Sequence, residues 1–278
     1  MILSGKAALA GVLGWPVAHS RSPRLHGFWL ERHGIDGAYV PLPVKPEDFP
    51  SAVKALAALG FRGANVTIPH KQAAFQACDE VDDHARRLEA VNTLVFDGGR
   101  IRGSNTDGVG FMNHLRQSIP GWNAETGPAV VLGAGGAARA VVVALIDAGV
   151  PTLRLVNRTR EKAEALAGTF GGPIEVADWG QWDTVLRDAS LVVNTTSLGM
   201  EGHGPLEVDL DALPASAVVY DIVYQPLKTD LLRVARTRGN ATVDGLGMLL
   251  HQARPGFEAW FGVRPEVDDE LRAFVLRG

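Results

Sequence analysis

The sequence predicts a two-domain α/β protein: an N-terminal α/β part followed by a doubly wound parallel sheet. Three observations carry this. Short apolar runs alternate with segments of helical periodicity along most of the 278 residues, the pattern of parallel α/β folds. A glycine-rich turn, Gly133-Ala134-Gly135-Gly136-Ala137-Ala138, directly follows the apolar run Ala129–Leu132 and opens a helix, as in Rossmann-type dinucleotide-binding units. Ile119-Pro120-Gly121 and Thr126-Gly127-Pro128 bracket a linker just before that unit. The expected division is therefore residues 1–118, residues 119–245, and two final helices in 246–278 that return to pack on the first part.

In the first part, Ala7–Leu13 reads as a strand. Ser22 as N-cap and Pro23 at the first helical position open a helix running to His33. Ala38–Val44 is a second strand, and Glu47–Leu59 is a helix ended by Gly60. Ala64–Ile68 is a third strand, after which Pro69 starts the next helix. Asn92–Phe96 and Arg100–Gly103 flank Asp97-Gly98-Gly99, a hairpin signal, and Asp107–Ser118 is a helix. Beyond the linker come the strands Ala129–Leu132, Thr152–Val156, Ile174–Val176, Leu191–Asn194, Val218–Ile222 and Ala241–Val243. A helix over Gly136–Ala148 is stopped by Gly149, and the chain closes with helices Gly247–Phe261, kinked at Pro255, and Pro265–Leu276.

Composition narrows the function classes. Hydrophobic residues make up 46% and charged residues 21% of the chain, which excludes a disordered or collagen-like chain. The net charge of −4 carries no basic excess of the kind nucleic-acid binding needs, so no nucleic-acid partner is expected. The most apolar stretch, Ala129–Val156, is interrupted by Arg139 and Asp147, so no membrane span is expected. The early apolar run lacks a basic start and an A-x-A site and reads as a buried strand, not a signal peptide. Cys78 is the one cysteine, consistent with a reducing cytoplasm. The eight histidines form no H-E-x-x-H and the sequence has no G-x-S-x-G, so neither a metal site nor a serine hydrolase is expected.

The glycine turn matches G-x-G-x-x-A with Gly133, Gly135 and Ala138 in the three key positions. They permit, in order, the tight turn, close approach of a pyrophosphate, and close helix–strand packing. A helix N-terminus adds free N–H groups and positive potential. After the second strand of this unit, an NAD site would carry an acid for the ribose 2′-hydroxyl; here Asn157-Arg158-Thr159 is followed by Arg160 and Lys162. Arg158 matches a 2′-phosphate with a planar fork, and Thr159 adds a hydroxyl donor, so NADP(H) is the expected cofactor.

In the first part, polar residues gather at predicted strand ends, where α/β proteins bind ligands. Ser20 and Ser22 beside a helix N-terminus suit a substrate carboxylate, and Ser22 also reads as a helix cap; one hydroxyl can serve both purposes. Lys71 sits on a first helical turn and Asp107 opens a helix. Alone, each fits a surface lysine and a dipole-favoured acid; together they form an acid–base pair for hydride transfer to a carbonyl, with the division of the proton between them open.

These segments, in this order, resemble the shikimate dehydrogenases over nearly the whole chain. The resemblance rests on Gly14–His26, Asn65–Lys71, Ala90–Thr93, Asn105–Gly108, Gly133–Ala138, Asn157–Thr159, Asn194–Met200, Tyr220–Tyr224 and Asp244–Met248. It implies reversible NADP-dependent reduction of 3-dehydroshikimate to shikimate on the chorismate route to aromatic amino acids. It implies that Ser20, Ser22 and Tyr224 hold the substrate carboxylate, and that Thr67, Lys71, Asn92, Asp107 and Gln252 hold the ring hydroxyls, with Lys71 and Asp107 catalytic. Gly133, Ala134, Gly135, Gly136, Ala137, Ala138, Asn157, Arg158, Thr159 and Lys162 would bind the cofactor. Thr195, Thr196 and Ile222 would border it, and Gly245 and Met248 would lie near the nicotinamide. Two departures stand out: Gly27 follows His26 where the family often has Asn, and Lys162 replaces a common Arg, keeping the charge without the fork. A quinate/shikimate dehydrogenase and a non-catalytic NADP-sensing protein on the same scaffold are the alternatives. A small-molecule substrate is the expected partner, and a homodimer is left open.

Overall fold

The computed structural model describes residues 2–277. The chain divides into two units: the first runs to Thr106 and resumes at Leu249, and the second spans Asp107–Met248.

The first unit begins with β1 (Ala8–Gly14), α1 (Ser22–Arg32), β2 (Gly37–Pro43), α2 (Phe49–Ala58), β3 (Gly63–Val66) and α3 (Lys71–Ala77). It continues with β4 (Glu80–Val81), α4 (Asp83–Leu88), β5 (Thr93–Asp97) and β6 (Arg100–Ser104). The strands form one sheet in the order β2-β1-β3-β5-β6-β4. β1 pairs parallel with β2 and β3 through helical crossovers, whereas β5 runs antiparallel to both β3 and β6. The reversal is local in origin: Gly98 and Gly99 both adopt positive φ, at 56° and 79°, as a two-residue hairpin turn requires. The sheet is therefore mixed rather than parallel throughout.

The second unit holds α5 (Asp107–Ser118), β7 (Ala129–Leu132), α6 (Gly136–Asp147), β8 (Leu153–Val156), α7 (Arg160–Phe170), β9 (Ile174–Ala177) and α8 (Trp182–Val185). β10 (Leu191–Asn194), β11 (Val218–Asp221), α9 (Asp230–Thr237) and β12 (Ala241–Val243) follow. Six parallel strands lie in the order β12-β11-β10-β7-β8-β9. This is the doubly wound Rossmann order, whose winding reverses between β7 and β10; ligands bind at the strand ends beside that point. Every residue of β7, β10 and β11 is buried, as expected for strands covered on both faces. One core gathers Val131, Leu155, Val193 and Tyr220 with Val141 and Leu145 of α6. Another, built on Val130, Val192 and Val219, includes Leu231 and Leu232 of α9.

α10 (Leu246–Phe261) runs unbroken through Pro255, and α11 (Asp269–Leu276) follows. In the first unit, Arg21 and Arg24 of the α1 region donate to the carbonyls of Val275 and Phe274 at 2.8 Å each, and Trp260 Nε1 donates to the carbonyl of Leu94 at 2.9 Å. None of the helices described is long and apolar enough to cross a membrane.

The limits of the units lie close to the expected ones, and one expectation, on Ser22, needs correction. The boundary expected after residue 118 falls at Thr106, because α5 packs on α6: a Cβ added at Gly108 would lie 3.2 Å from the Ala140 carbonyl oxygen. The boundary expected at 245 moves to Met248, which is buried in the core of the second unit. Ser22 is the first residue of α1 rather than its N-cap. Arg21 takes the N-cap position without a side-chain bond, and the Ser22 N–H donates instead to Ser20 Oγ at 3.3 Å.

Candidate active site

In the first unit, the C-terminal ends of β1 and β3 carry the residues singled out from the sequence. Ser20 is half-buried in the loop after β1, and Ser22 is buried at the start of α1. Thr67 follows β3 and is held by its N–H to the Leu13 carbonyl at 2.9 Å. Lys71 is half-buried at the first position of α3, and its carbonyl accepts from the Val91 N–H at 2.9 Å. That bond ties the start of α3 to the segment carrying Asn92.

Asn92 is the centre of a buried polar cluster. Its Nδ2 donates to Gln252 Oε1 at 3.3 Å and to Thr106 Oγ1 at 3.1 Å. Its Oδ1 accepts from the Thr106 N–H and from Thr93 Oγ1, both at 3.0 Å. Thr106 Oγ1 in turn donates to the Gln252 carbonyl at 2.8 Å, fixing that turn of α10. On the other side, Asn65 Nδ2 donates to the Asn92 carbonyl and to Thr93 Oγ1, both at 3.2 Å. Asn65 Oδ1 accepts from the Tyr39 hydroxyl at 2.7 Å. The structure thus brings Asn92 and Gln252 together. It adds Tyr39, Asn65, Thr93 and Thr106, of which Tyr39 was not singled out from the sequence. The only local signal was an asparagine inside the apolar run of β3; its partners are 26 to 28 positions away.

Beneath this cluster His26 is fully buried and stacked on Tyr39, with ring centroids 3.9 Å apart and planes 7° apart. Trp29, Phe257 and Trp260 surround it. Neither ring nitrogen has a hydrogen-bond partner among the described residues. Burial pushes its pKa down to about 3, so the imidazole is neutral at any physiological pH.

In the second unit, Asp107 is the first residue of α5 and only 7% exposed. Tyr224 is half-buried in the loop after β11. The glycine turn follows β7 as expected. Gly133 has φ 111°, and a Cβ there would sit 2.8 Å from Thr195 Oγ1. Thr195 is fastened to the end of β7, its N–H and hydroxyl donating to the Leu132 carbonyl at 2.9 and 2.6 Å. Gly135 and Gly136 face the other way: a Cβ on either would meet nothing within 4 Å. α6 begins there with no side-chain cap, so its first N–H groups face open space. Those are the conditions an anion needs at a helix N-terminus, and they fit a dinucleotide pyrophosphate. Ala134 and Ala137 are half-buried, and Ala138 is buried within the first turn of α6.

After β8, Asn157 Nδ2 donates to the Thr159 carbonyl at 2.7 Å and shapes the loop. Arg158, Thr159 and Lys162 are exposed. Arg160 is committed elsewhere, to Glu164 and Asp178, whereas Arg158 pairs with no carboxylate among the described residues. Thr196 is positioned through Asn194, whose Oδ1 accepts its N–H at 3.0 Å and its hydroxyl at 2.8 Å. Asn194 is held in turn by Asp221, fully buried at the end of β11. Its carboxylate accepts from Asn194, Thr229 and the Val223 N–H at 2.9, 2.7 and 3.0 Å. Burial without a cationic partner among the described residues raises the Asp221 pKa to about 6. Ile222 lies against Gly245, where a Cβ would meet the Ile222 carbonyl oxygen at 2.0 Å, and Met248 is buried nearby in the same unit. No group of three or more His, Cys, Asp or Glu among the described residues could hold a metal ion.

Three family profiles match the chain in order: "Shikimate dehydrogenase substrate binding domain" over residues 12–94, "Shikimate / quinate 5-dehydrogenase" over 115–200, and "Shikimate 5'-dehydrogenase C-terminal domain" over 245–269. A relative from Paramagnetospirillum magneticum, described as shikimate dehydrogenase (NADP(+)), is 62% identical over 275 residues, covering 99% of this chain and 100% of its own. Among solved structures, shikimate 5-dehydrogenase from Thermus thermophilus in complex with NADP(H) and shikimate superposes with a TM-score of 0.87. It is 37% identical, with 97% and 99% of the two chains covered. Quinate dehydrogenase from Corynebacterium glutamicum in complex with NAD superposes with a TM-score of 0.90 at 33% identity, covering 98% and 99%.

Proposed function

We propose the following division of labour from the premise that this chain belongs to the shikimate dehydrogenase family. It is an NADP-dependent oxidoreductase of the shikimate pathway, interconverting 3-dehydroshikimate and shikimate. The first unit supplies most of the substrate ligands, and the second holds the cofactor. The observation that supports the substrate assignment is the pair of amides, buried Asn92 before β5 and half-buried Gln252 on α10, 3.3 Å apart.

In this reading Ser20, Ser22 and Tyr224 hold the ring carboxylate. Asn92, Gln252 and Thr67 hold ring hydroxyls, because amides and hydroxyls both give and accept hydrogen bonds. Lys71 and Asp107 carry the proton. The Lys71 ammonium polarises the substrate carbonyl and protonates its oxygen as the carbon is reduced, and Asp107 shares that proton and orients the hydroxyl formed. NADPH, when bound, supplies the hydride. Gly133 to Ala138 cradle its pyrophosphate, and Asn157, Arg158, Thr159 and Lys162 meet the 2′-phosphate side. Thr195, Thr196 and Ile222 border it, with Gly245 and Met248 on the nicotinamide side. The lone cysteine, Cys78, supports a cytoplasmic setting. Self-association into a homodimer is checked by sedimentation of the purified chain.

The purified protein is expected to oxidise NADPH with 3-dehydroshikimate and to use NADH far less well. Faster turnover of quinate with NAD than of shikimate with NADP would favour the quinate reading. NADPH binding without turnover of either acid would favour the sensing reading.

A further inference from the structure

A directed chain of hydrogen bonds crosses the first unit and ends at Asn92. The Tyr39 hydroxyl donates to Asn65 Oδ1 at 2.7 Å. The Asn92 main-chain carbonyl, which can only accept, turns Asn65 Nδ2 toward itself and toward Thr93 Oγ1, both at 3.2 Å. The Thr93 hydroxyl, accepting there, gives its own proton to Asn92 Oδ1 at 3.0 Å, where the Thr106 N–H also arrives at 3.0 Å. Swapping the oxygen and nitrogen of Asn92 would set an NH2 group against the Thr106 N–H, and doing so at Asn65 would set a carbonyl oxygen against the Asn92 main-chain carbonyl. The strand register makes this possible, since Asn65 and Thr93 are directly opposed on β3 and β5. Tyr39, Asn65, Asn92, Thr93 and Thr106 are each at most 7% exposed, so the bonds are shielded and an unmet one is costly.

We infer that Tyr39, Asn65 and Thr93 are positioning residues that dictate which way the Asn92 amide faces, so that its N–H, and not its carbonyl, is turned toward the ring hydroxyl held beside Gln252. The inference rests on the reading of Asn92 and Gln252 as substrate ligands. Its consequence is for substrate choice: with the N–H side of Asn92 held toward Gln252 Oε1 at 3.3 Å, a ring oxygen entering beside Gln252 meets a donor and not a carbonyl. The Tyr39 ring is itself held by stacking on His26, so its hydroxyl is aimed by packing and not by solvent.

Thr93 allows a test that separates hydrogen bonding from packing. Thr93→Ser keeps the hydroxyl and loses a methyl; Thr93→Val keeps the volume and loses the hydroxyl. The relay predicts kcat/KM for shikimate within about twofold of wild type for Thr93→Ser and a loss of about tenfold or more for Thr93→Val, with the affinity for NADP+ unchanged in both. The reverse order, a harmless Thr93→Val and a damaging Thr93→Ser, overturns the relay in favour of packing. Tyr39→Phe keeps the stacked ring and gives an independent check. It should lower kcat/KM in the otherwise wild-type protein, yet change it by less than about twofold once Asn92→Ala is present. Equal losses in the two backgrounds overturn the inference. An Asn92→Ala protein with full kcat/KM for shikimate overturns instead the assignment of Asn92 to the substrate, and the relay with it.

Discussion

Asn194 Nδ2 donates to Asp221 Oδ1 at 2.9 Å, joining the ends of two neighbouring parallel strands through side chains that are both fully buried. The same Asn194 organises Thr196, so a buried carboxylate with no cationic partner among the described residues underlies the loop assigned to the cofactor. With its pKa raised from 3.8 to about 6, Asp221 binds its proton more tightly in the folded than in the unfolded chain. Its contribution to stability is present below pH 3.8 and is lost as pH rises to about 6. Asp221→Asn removes this opposing effect, so its stability should rise more steeply across that window than that of wild type, by up to about 1.4 kcal/mol per pH unit. Denaturant melts at several pH values check this; parallel curves would count against a raised Asp221.

His26 acts in the opposite sense. Its folded pKa of about 3 lies below the unfolded value of 6.5, so the stability it contributes is complete above pH 6.5 and is lost as pH falls toward 3. His251, lowered to about 4 by burial and then by Arg254, adds to the same acid limb. His26→Phe keeps the stacking on Tyr39 and gives up no hydrogen bond, since neither nitrogen makes one among the described residues. It should flatten the acid limb by roughly one proton, about 1.4 kcal/mol per pH unit. An unchanged slope would show that His26 is protonated in the folded chain.

Arg158→Ala is expected to weaken NADP+ binding by about 10- to 100-fold, the worth of a charge-assisted pair to a phosphate, and to leave NAD+ binding nearly unchanged. Titration of protein fluorescence with each nucleotide measures both. Equal weakening of the two would remove the 2′-phosphate from the side chain's role.

Cys78 donates to the Ala74 carbonyl at 3.1 Å, and burial followed by the charge of Asp79 pushes its thiol pKa up to about 12. The native protein should therefore react with iodoacetamide at pH 8 at least about 100-fold more slowly than free cysteine, while the denatured chain reacts at the free rate. Labelling at the same speed in both states would contradict this.

Where the determinants are local, the sequence already shows the structure. β7, β10, β12 and α5 occupy the very segments expected, because each is a short, mainly apolar run or a helix with a clear start. The glycine turn is equally legible, since φ 111° at Gly133 and the open faces of Gly135 and Gly136 depend on neighbouring residues. The short β4 and α4, together with α8 and α9, were not anticipated, since two to eight residues give periodicity little to act on. Ser22 looked like a cap because serine before proline usually is one. Only the structure shows that Ser20 accepts the Ser22 N–H instead. The Tyr39–Asn65–Thr93–Asn92 chain was hidden for a different reason: strand pairing brings together residues far apart in sequence. Likewise, nothing near Asp221 in sequence reveals that its partners are Asn194 and Thr229.

The central claim is that Lys71 handles the proton while the carbonyl carbon is reduced. The most direct measurement pairs NADPH oxidation by Lys71→Ala, with 3-dehydroshikimate as substrate, with a separate titration of NADPH binding. The account predicts a fall in turnover of about 100- to 10,000-fold with NADPH affinity within about twofold of wild type. Undiminished turnover, or a loss accounted for entirely by lost NADPH binding, would contradict it.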